Sequence, residues 1–374
     1  MSSRVKKKTC IKWIVPCNES LRDIPQRQNE VVIVCYQESE GYKYASKLME
    51  SYSERNIYYI SELMKNELDE IIMKEYPDDY EKEVLVGRKI DLDHNLDVKF
   101  KDIISELEAN EEFPLFNSIE IETINCCNGL CEFCPVNRND DPRTLKKMSK
   151  DLFEKIIDEL AGLSYNGRLN LFSNNEPLMD NRIVEFAKYA KENVPLANVV
   201  LFTNGTLLKM DKFLELIKYL DLLCIDFYYD NDERLELNDN LKNCLEYVLA
   251  NEELQKKVYV SFICRKAIRN NRGGQSKNRT VKYRVQARCI LPYIQMIIRP
   301  DGKVSLCCND PIGKNTLGDV SESSLIDVWN NNAFANVRRA VRDTRQNYEF
   351  CQECDNFATL NRGGNGVFTS VQMR

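Results

Sequence analysis

Asn125-Cys126-Cys127-Asn128-Gly129-Leu130-Cys131-Glu132-Phe133-Cys134-Pro135 is the stretch whose reading decides the fold. It follows directly on residues 118–123, a short run of isoleucines and other strand-forming side chains that predicts a β-strand. Three thiols on one short loop can hold three irons of a cubane, since thiolates are the standard ligands of such clusters. The fourth iron would then lack a protein ligand and could chelate a small molecule through an amine and a carboxylate. A zinc knuckle with Cys126 as its fourth ligand, or thiols that bind no metal, are the alternatives this loop leaves open by itself.

Outward from this loop, strands and helices alternate. The pattern predicts strands at 118–123, 168–172, 198–203, 222–227 and 257–263, and helices at 150–163, 182–192, 212–220 and 241–251. Repeated βα units imply a parallel sheet with helices outside it. Five strands, with a sixth expected near 283–287, suit a partial (β/α)6 barrel better than a closed eight-stranded one. In such a barrel the site is built on loops at the carboxyl ends of the strands. There the chain offers Ser173-Asn174-Asn175-Glu176-Pro177, Thr203-Asn204-Gly205-Thr206, Asp226, and Arg269-Asn270-Asn271-Arg272-Gly273-Gly274. The last pair of glycines allows close approach of backbone to a ligand.

The spacing Cys-x3-Cys-x2-Cys, with Phe133 before the last cysteine, resembles the motif of the radical S-adenosylmethionine (SAM) superfamily. That resemblance implies a 4Fe–4S cluster on Cys127, Cys131 and Cys134. SAM would bind its open iron and be cleaved reductively to methionine and a 5′-deoxyadenosyl radical, which takes a hydrogen atom from the substrate. In that family the second strand ends in Gly-Gly-Glu-Pro. Here Asn174 and Asn175 replace the glycines while Glu176 and Pro177 remain, and a carboxylate is an apt acceptor for the SAM ammonium. Thr203 and Asn204 match the family's Thr-Asn-Gly segment and are expected at the ribose or carboxylate of SAM. Arg272 is expected to pair with the SAM carboxylate or with a polar substrate.

A second group of cysteines follows: Cys289, the pair Cys307-Cys308, and Cys351-Gln352-Glu353-Cys354. Asp301-Gly302 between apolar runs signals a hairpin that carries Cys307 back toward Cys289. Four thiolates make a closed site, for which a four-cysteine zinc ion is the alternative. The segment from Cys289 to Asp355, with Asp301-Gly302, Gly318 and Trp329, resembles the auxiliary-cluster domain called SPASM. With no cysteine after Cys354 it fits the shorter "twitch" form. The resemblance implies one auxiliary 4Fe–4S cluster on Cys289, Cys307, Cys351 and Cys354, with Cys308 as the spare of its pair. The arrangement is similar to that of twitch-bearing aminocyclitol dehydrogenases.

The expected organisation is an accessory α/β segment and linker at 1–113, a radical SAM partial barrel at 114–287, and a small hairpin-and-helix iron–sulfur domain at 288–374. Residues 31–35 and 57–60 predict strands of one βαβ unit, and the intervening turn lacks a dinucleotide-binding glycine fingerprint. This segment resembles half-Rossmann modules of polysaccharide-pathway proteins.

The 374 residues carry 52 Lys and Arg against 58 Asp and Glu, a net charge of -6, which argues against nucleic acid as the main partner. Neither a membrane-spanning run nor a secretory signal is visible, so a cytoplasmic protein is expected. Fifteen cysteines in a reducing compartment read as metal ligands more readily than as disulfides. The single histidine, His94, sits among Asp91, Asp93 and Asp97 and reads as a surface residue.

The expectation is a radical SAM oxidoreductase or epimerase acting on a small polar substrate, a sugar or aminocyclitol, supplied with electrons by a flavodoxin or ferredoxin. An epimerase would need a hydrogen-donating thiol, with Cys224, Cys264 and Cys308 as candidates. The alternatives are a maturase acting on a ribosomally made precursor peptide, and a non-catalytic cysteine-rich metal-binding protein.

Overall fold

The computed structural model describes residues 97, 100–109, 113–229, 238–265, 271–276 and 285–356, with short strands at 11–15, 31–36, 57–61, 360–363 and 366–369. His94, the helix expected between the two predicted strands of the βαβ unit, and the side chain of Cys264 lie outside the described residues. The chain divides into two compact units, residues 1–85 with 231–234, and the remainder to 373.

In the first unit β1 (Ile11–Val15), β2 (Val31–Tyr36) and β3 (Ile57–Ser61) form a parallel sheet in that order. The two expected strands are therefore present, and β1 is an additional neighbour that the sequence pattern did not flag.

The second unit is built on an eight-stranded sheet. Its strands are β4 (Ser118–Ile121), β5 (Arg168–Asn170), β6 (Asn198–Thr203), β7 (Leu222–Tyr229), β8 (Val258–Cys264), β9 (Gln295–Ile298), β10 (Lys303–Ser305) and β11 (Thr316–Asp319). Their spatial order is β11-β10-β9-β4-β5-β6-β7-β8, so the sheet does not close. The strands from β9 through β8 are parallel, and β10 and β11 add an antiparallel edge. Six parallel strands make the expected partial barrel. The sixth lies elsewhere than expected: residues 285–287 form no strand, and the sixth parallel strand is β9, seated beside β4. The strand that opens the Asp301-Gly302 hairpin thus also belongs to the barrel. Gly302 has φ +83°, the left-handed conformation this turn requires.

Helices α1 (Lys150–Gly162), α2 (Ile183–Asn193), α3 (Met210–Tyr219) and α4 (Asp239–Leu249) connect β4 to β8. Helix α1 shows why. Ser149 caps it by accepting from the Leu152 N–H, and Phe153, Ile156, Ile157 and Leu160 recur on one face and are buried. Phe153 stacks on Phe186 of α2 at 4.1 Å.

Strand residues alternate between two environments, as the period of two requires. Ile119, Ile121, Leu169, Val199 and Leu201 join the main core with the helices. Val200 and Phe202 face the other way and cluster with Phe172 and Cys224. Glu120, between Ile119 and Ile121, shares that inner side and is 0 % exposed.

Behind the hairpin, α5 (Leu325–Trp329) and α6 (Asn332–Val341) pack on the barrel. Trp329 is fully buried, and its indole N–H donates to the Pro114 carbonyl at 2.9 Å. The Arg338 guanidinium sits over the rings of Trp329 and Phe113 at 4.0 and 4.1 Å.

Candidate active site

The loop after β4 is held at both ends by asparagines. Asn125 accepts from the Lys146 N–H at 2.6 Å and donates to the Thr144 carbonyl at 2.9 Å. Asn137 donates to the Cys134 carbonyl at 2.8 Å and accepts from the backbone N–H groups of Asn139 and Asp140. Between them the Gly129 N–H donates to Cys127 Sγ at 3.2 Å, and the Cys134 N–H bonds the Cys131 carbonyl at 3.1 Å. A Cβ at Gly129 would stand 3.2 Å from Cys127 Sγ and 3.9 Å from Cys131 Sγ, so the two sulfurs flank this glycine. Phe133 is buried and packs against Tyr228 near the end of β7, 6.1 Å between ring centres. The structure thus brings Cys127, Cys131 and Cys134 onto one loop.

Glu176 sits across from this loop, and its N–H donates to the Cys126 carbonyl at 2.9 Å. Its carboxylate is 1 % exposed. One oxygen accepts from Thr203 Oγ1 at 2.6 Å and from the Leu178 N–H at 3.0 Å; the other accepts from the Asn204 N–H at 2.7 Å. Glu176 therefore caps the short turn Pro177–Met179 and fastens the end of β6. Burial pushes its carboxyl up to about 7, against the pull of these donors. Asn204 donates onward to Asn128 Oδ1 at 2.8 Å and reaches Cys127 Sγ at 4.0 Å, and Asn128 donates to Thr206 at 2.8 Å. Glu176, Thr203 and Asn204 are thus one hydrogen-bonded unit against the cysteine loop. Asn175 Oδ1 takes the Ser173 N–H at 3.0 Å, and residues 174 and 175 need no positive φ. The loop follows its path without glycine because an asparagine side chain closes the turn. Among the described residues the buried Asn175 amide nitrogen has no partner, a donor a bound ligand would satisfy.

The second set is more deeply buried than the first, where only Cys131 is buried: Cys289, Cys307, Cys351 and Cys354 are each 8–9 % exposed. Burial first, then their mutual repulsion, pushes the thiols of Cys307 and Cys351 far up. The Arg345 guanidinium opposes that shift at Cys351 and Cys354, and it donates to Cys354 Sγ at 3.8 Å. Cys308 points its backbone elsewhere: its N–H goes to Gln295 Oε1 at 3.4 Å and its carbonyl accepts from Arg272 at 3.2 Å.

Both sets fit iron–sulfur clusters by donor chemistry. Buried thiols that repel one another when ionised call for a cationic core, which an iron–sulfur cluster supplies.

Between the two sets lies a polar inner face that sequence reasoning missed. Glu120 accepts from Gln295 Nε2 of β9 and from Ser173 Oγ, both at 2.7 Å. Burial raises its carboxyl to about 7, while the positive charges of Arg168 and Arg272 hold it lower than burial alone would. A lone acid between isoleucines, Ser118-Ile119-Glu120-Ile121, was the available signal. Arg272 has φ +50° and lies on residues 271–276, which strap onto the second cysteine segment. Asn271 bonds the Asp355 carboxylate and the Glu353 carbonyl, and Gln275 bonds the Asn309 carbonyl and Asp310. The Arg272 charge is felt at Glu120, Cys134 and Cys308 alike, so this side chain stands between the two cysteine sets. Asp226 is half-buried within β7, paired with Ser261 of β8 and short of the strand end where the sequence placed it, and its charge helps raise Glu176.

The radical SAM superfamily model matches residues 121–261, and the model of the iron–sulfur cluster-binding SPASM domain matches residues 289–355. This chain is a radical SAM enzyme with a SPASM-type auxiliary domain; its cofactors are SAM, the 4Fe–4S cluster of the superfamily and an auxiliary iron–sulfur cluster. A protein of Niallia circulans, S-adenosyl-L-methionine-dependent 2-deoxy-scyllo-inosamine dehydrogenase, is 24% identical over 243 residues, covering 65% of this chain and 94% of that protein. The crystal structure of BtrN in complex with AdoMet and 2-DOIA superposes with a TM-score of 0.58 at 21% identity, over 68% of this chain and 99% of that one, and shares its fold. Among the described residues no helix is long and apolar enough to cross a membrane.

Proposed function

We propose that this enzyme oxidises one secondary hydroxyl of a polyhydroxylated small molecule, an aminocyclitol or sugar, to a ketone in the cytoplasm. The observation that carries the reading is the polar face on which buried Glu120 and Gln295 meet half-buried Ser173 and Arg272 between two separate cysteine sets. Cys127, Cys131 and Cys134 would hold the first cluster; Cys289, Cys307, Cys351 and Cys354 would hold the second. When bound, the first supplies the electron that cleaves SAM into methionine and the 5′-deoxyadenosyl radical, and the second takes up the electron the substrate gives up.

The chain's own residues do the rest. Thr203 and Asn204, fixed by Glu176, present hydroxyl and amide to SAM, and the Glu176 carboxylate faces its amino group as acceptor. The Asn175 amide supplies a further donor. Arg272 orients a hydroxyl or carboxylate between the two sets. Glu120, with its carboxyl near 7, takes the hydroxyl proton as the carbon is oxidised. With a hydrogen atom going to the radical and a proton to Glu120, the remaining electron would pass to the cluster that Cys289, Cys307, Cys351 and Cys354 would hold, which would balance a two-electron oxidation. The electron for SAM comes from an external donor such as flavodoxin or ferredoxin. The dehydrogenase likeness over 94% of the relative's length supports the substrate class.

Anaerobic reconstitution followed by SAM, dithionite and a panel of aminocyclitols tests the reading. Ketone and 5′-deoxyadenosine should form one to one, with deuterium passing from the oxidised carbon into 5′-deoxyadenosine. Cys351→Ala should still cleave SAM but form no ketone. Solvent hydrogen entering an unoxidised product would indicate an epimerase and would refute the dehydrogenase reading. Turnover on a precursor peptide alone would replace the small molecule.

A further inference from the structure

We infer that Arg345 is the built-in counter-charge of the second cysteine set and raises the reduction potential of the cluster held there. The inference rests on the proposed ligand set Cys289, Cys307, Cys351 and Cys354.

Arg345 begins the short turn Arg345–Asn347, capped by Thr344, and is 1 % exposed. Its guanidinium is anchored by carbonyls: Nε donates to Ala287 at 2.9 Å, and the two terminal nitrogens donate to Asn356 at 2.7 Å and Arg288 at 3.3 Å. The nitrogen on Asn356 also donates to Cys354 Sγ at 3.8 Å. Ala287 and Arg288 lead directly into Cys289, and Asn356 follows Cys354, so the fork sits where two ligand segments meet. A guanidinium stays charged even when buried.

The redox consequence follows from charge. A cubane on four thiolates is anionic in both oxidation states and gains one more negative charge on reduction. A fixed cation at hydrogen-bond range to one ligand sulfur, in a poorly screened interior, therefore favours the reduced state. Charge and hydrogen bonds to sulfur are among the levers by which a protein sets such potentials. The first loop is built differently. Among the described residues, Cys127 Sγ receives neutral N–H groups, from Gly129 at 3.2 Å and Asn204 at 4.0 Å. Positive charge reaches the first loop as well, from Arg272 and Arg143 near Cys134, so what sets the second site apart is a guanidinium anchored by three carbonyls with one nitrogen on a cysteine sulfur.

The test uses the fully reconstituted enzyme with two variants, Arg345→Gln and Arg345→Lys. Both break the three-carbonyl fork, and the lysine variant alone keeps the charge. Iron content and an EPR-monitored redox titration report each cluster separately. The expected result is a more negative midpoint for the auxiliary signal in Arg345→Gln, a midpoint near wild type in Arg345→Lys, and an unchanged first cluster. Loss of the auxiliary irons in Arg345→Gln with retention in Arg345→Lys would also support a charge requirement. An unchanged midpoint in both variants, an equal shift in both, or loss of the auxiliary irons from both would overturn the inference. Wild-type protein with about four irons instead of about eight would mean that the ligand assignment has failed, not the role of Arg345.

Discussion

Replacing Glu120 by glutamine should make the protein more stable at alkaline pH while stopping oxidation. Glu120 is fully buried, and its carboxyl is raised from 4.5 to about 7, chiefly by desolvation. Because the folded protein holds this proton more tightly than the unfolded chain, the contribution of Glu120 to stability is fully present below 4.5. It is lost as pH rises to about 7. Linkage over those two values gives a cost of about 1 kcal/mol at about pH 5.5 and about 3 kcal/mol at about pH 8.5. Glutamine carries no such cost. Its carbonyl can still accept from Gln295, and its amide can donate to Ser173 once that hydroxyl turns to accept. The stability of Glu120→Gln relative to wild type should therefore improve by about 2 kcal/mol between those pH values. Glu122 and Glu176, whose carboxyls are also raised by burial, titrate in both proteins and cancel in the difference. Urea unfolding of the anaerobic holoenzyme at the two pH values measures it. A difference that does not move with pH would refute the buried, protonated Glu120. The variant should still cleave SAM when supplied with reductant, yet form ketone about 100-fold more slowly or worse, as loss of a general base implies.

Cys127→Ala should remove about four irons and all 5′-deoxyadenosine; retention of that product would refute the first ligand set. SAM should bind about tenfold more weakly for each pH unit below about 7, because the hydrogen bond its amino group donates is received best by the ionised Glu176, whose carboxyl lies near 7 in the protein. Isothermal titration should show this slope for wild type and none for Glu176→Gln. Trp329→Ala removes a fully buried ring that holds Arg338 and the Pro114 carbonyl. It should cost about 3–5 kcal/mol in stability, read as a lower unfolding midpoint without a change in the potential of the first cluster.

Much of this protein could be read directly from its sequence because the cysteines of the first proposed ligand set are local. Cys127, Cys131 and Cys134 stand within eight residues of one another on a single loop, so their spacing reports their geometry. The alternation of strands and helices from 118 to 263 was equally legible, since parallel strands buried on both faces leave continuous apolar runs. Three things were decided by the tertiary structure. Glu120 meets Gln295 across 175 residues, a pairing visible only once β9 lies beside β4. The carboxylate of Glu176, which motif reading assigns to SAM alone, also fastens Thr203 and Asn204, because its loop packs against the end of β6. Arg345 looks like one more surface arginine in the chain, and burial against Cys354 gives it a role. Short-range chemistry is written in spacing, whereas the charge, burial and proton affinity of a side chain depend on distant segments that only the fold brings together.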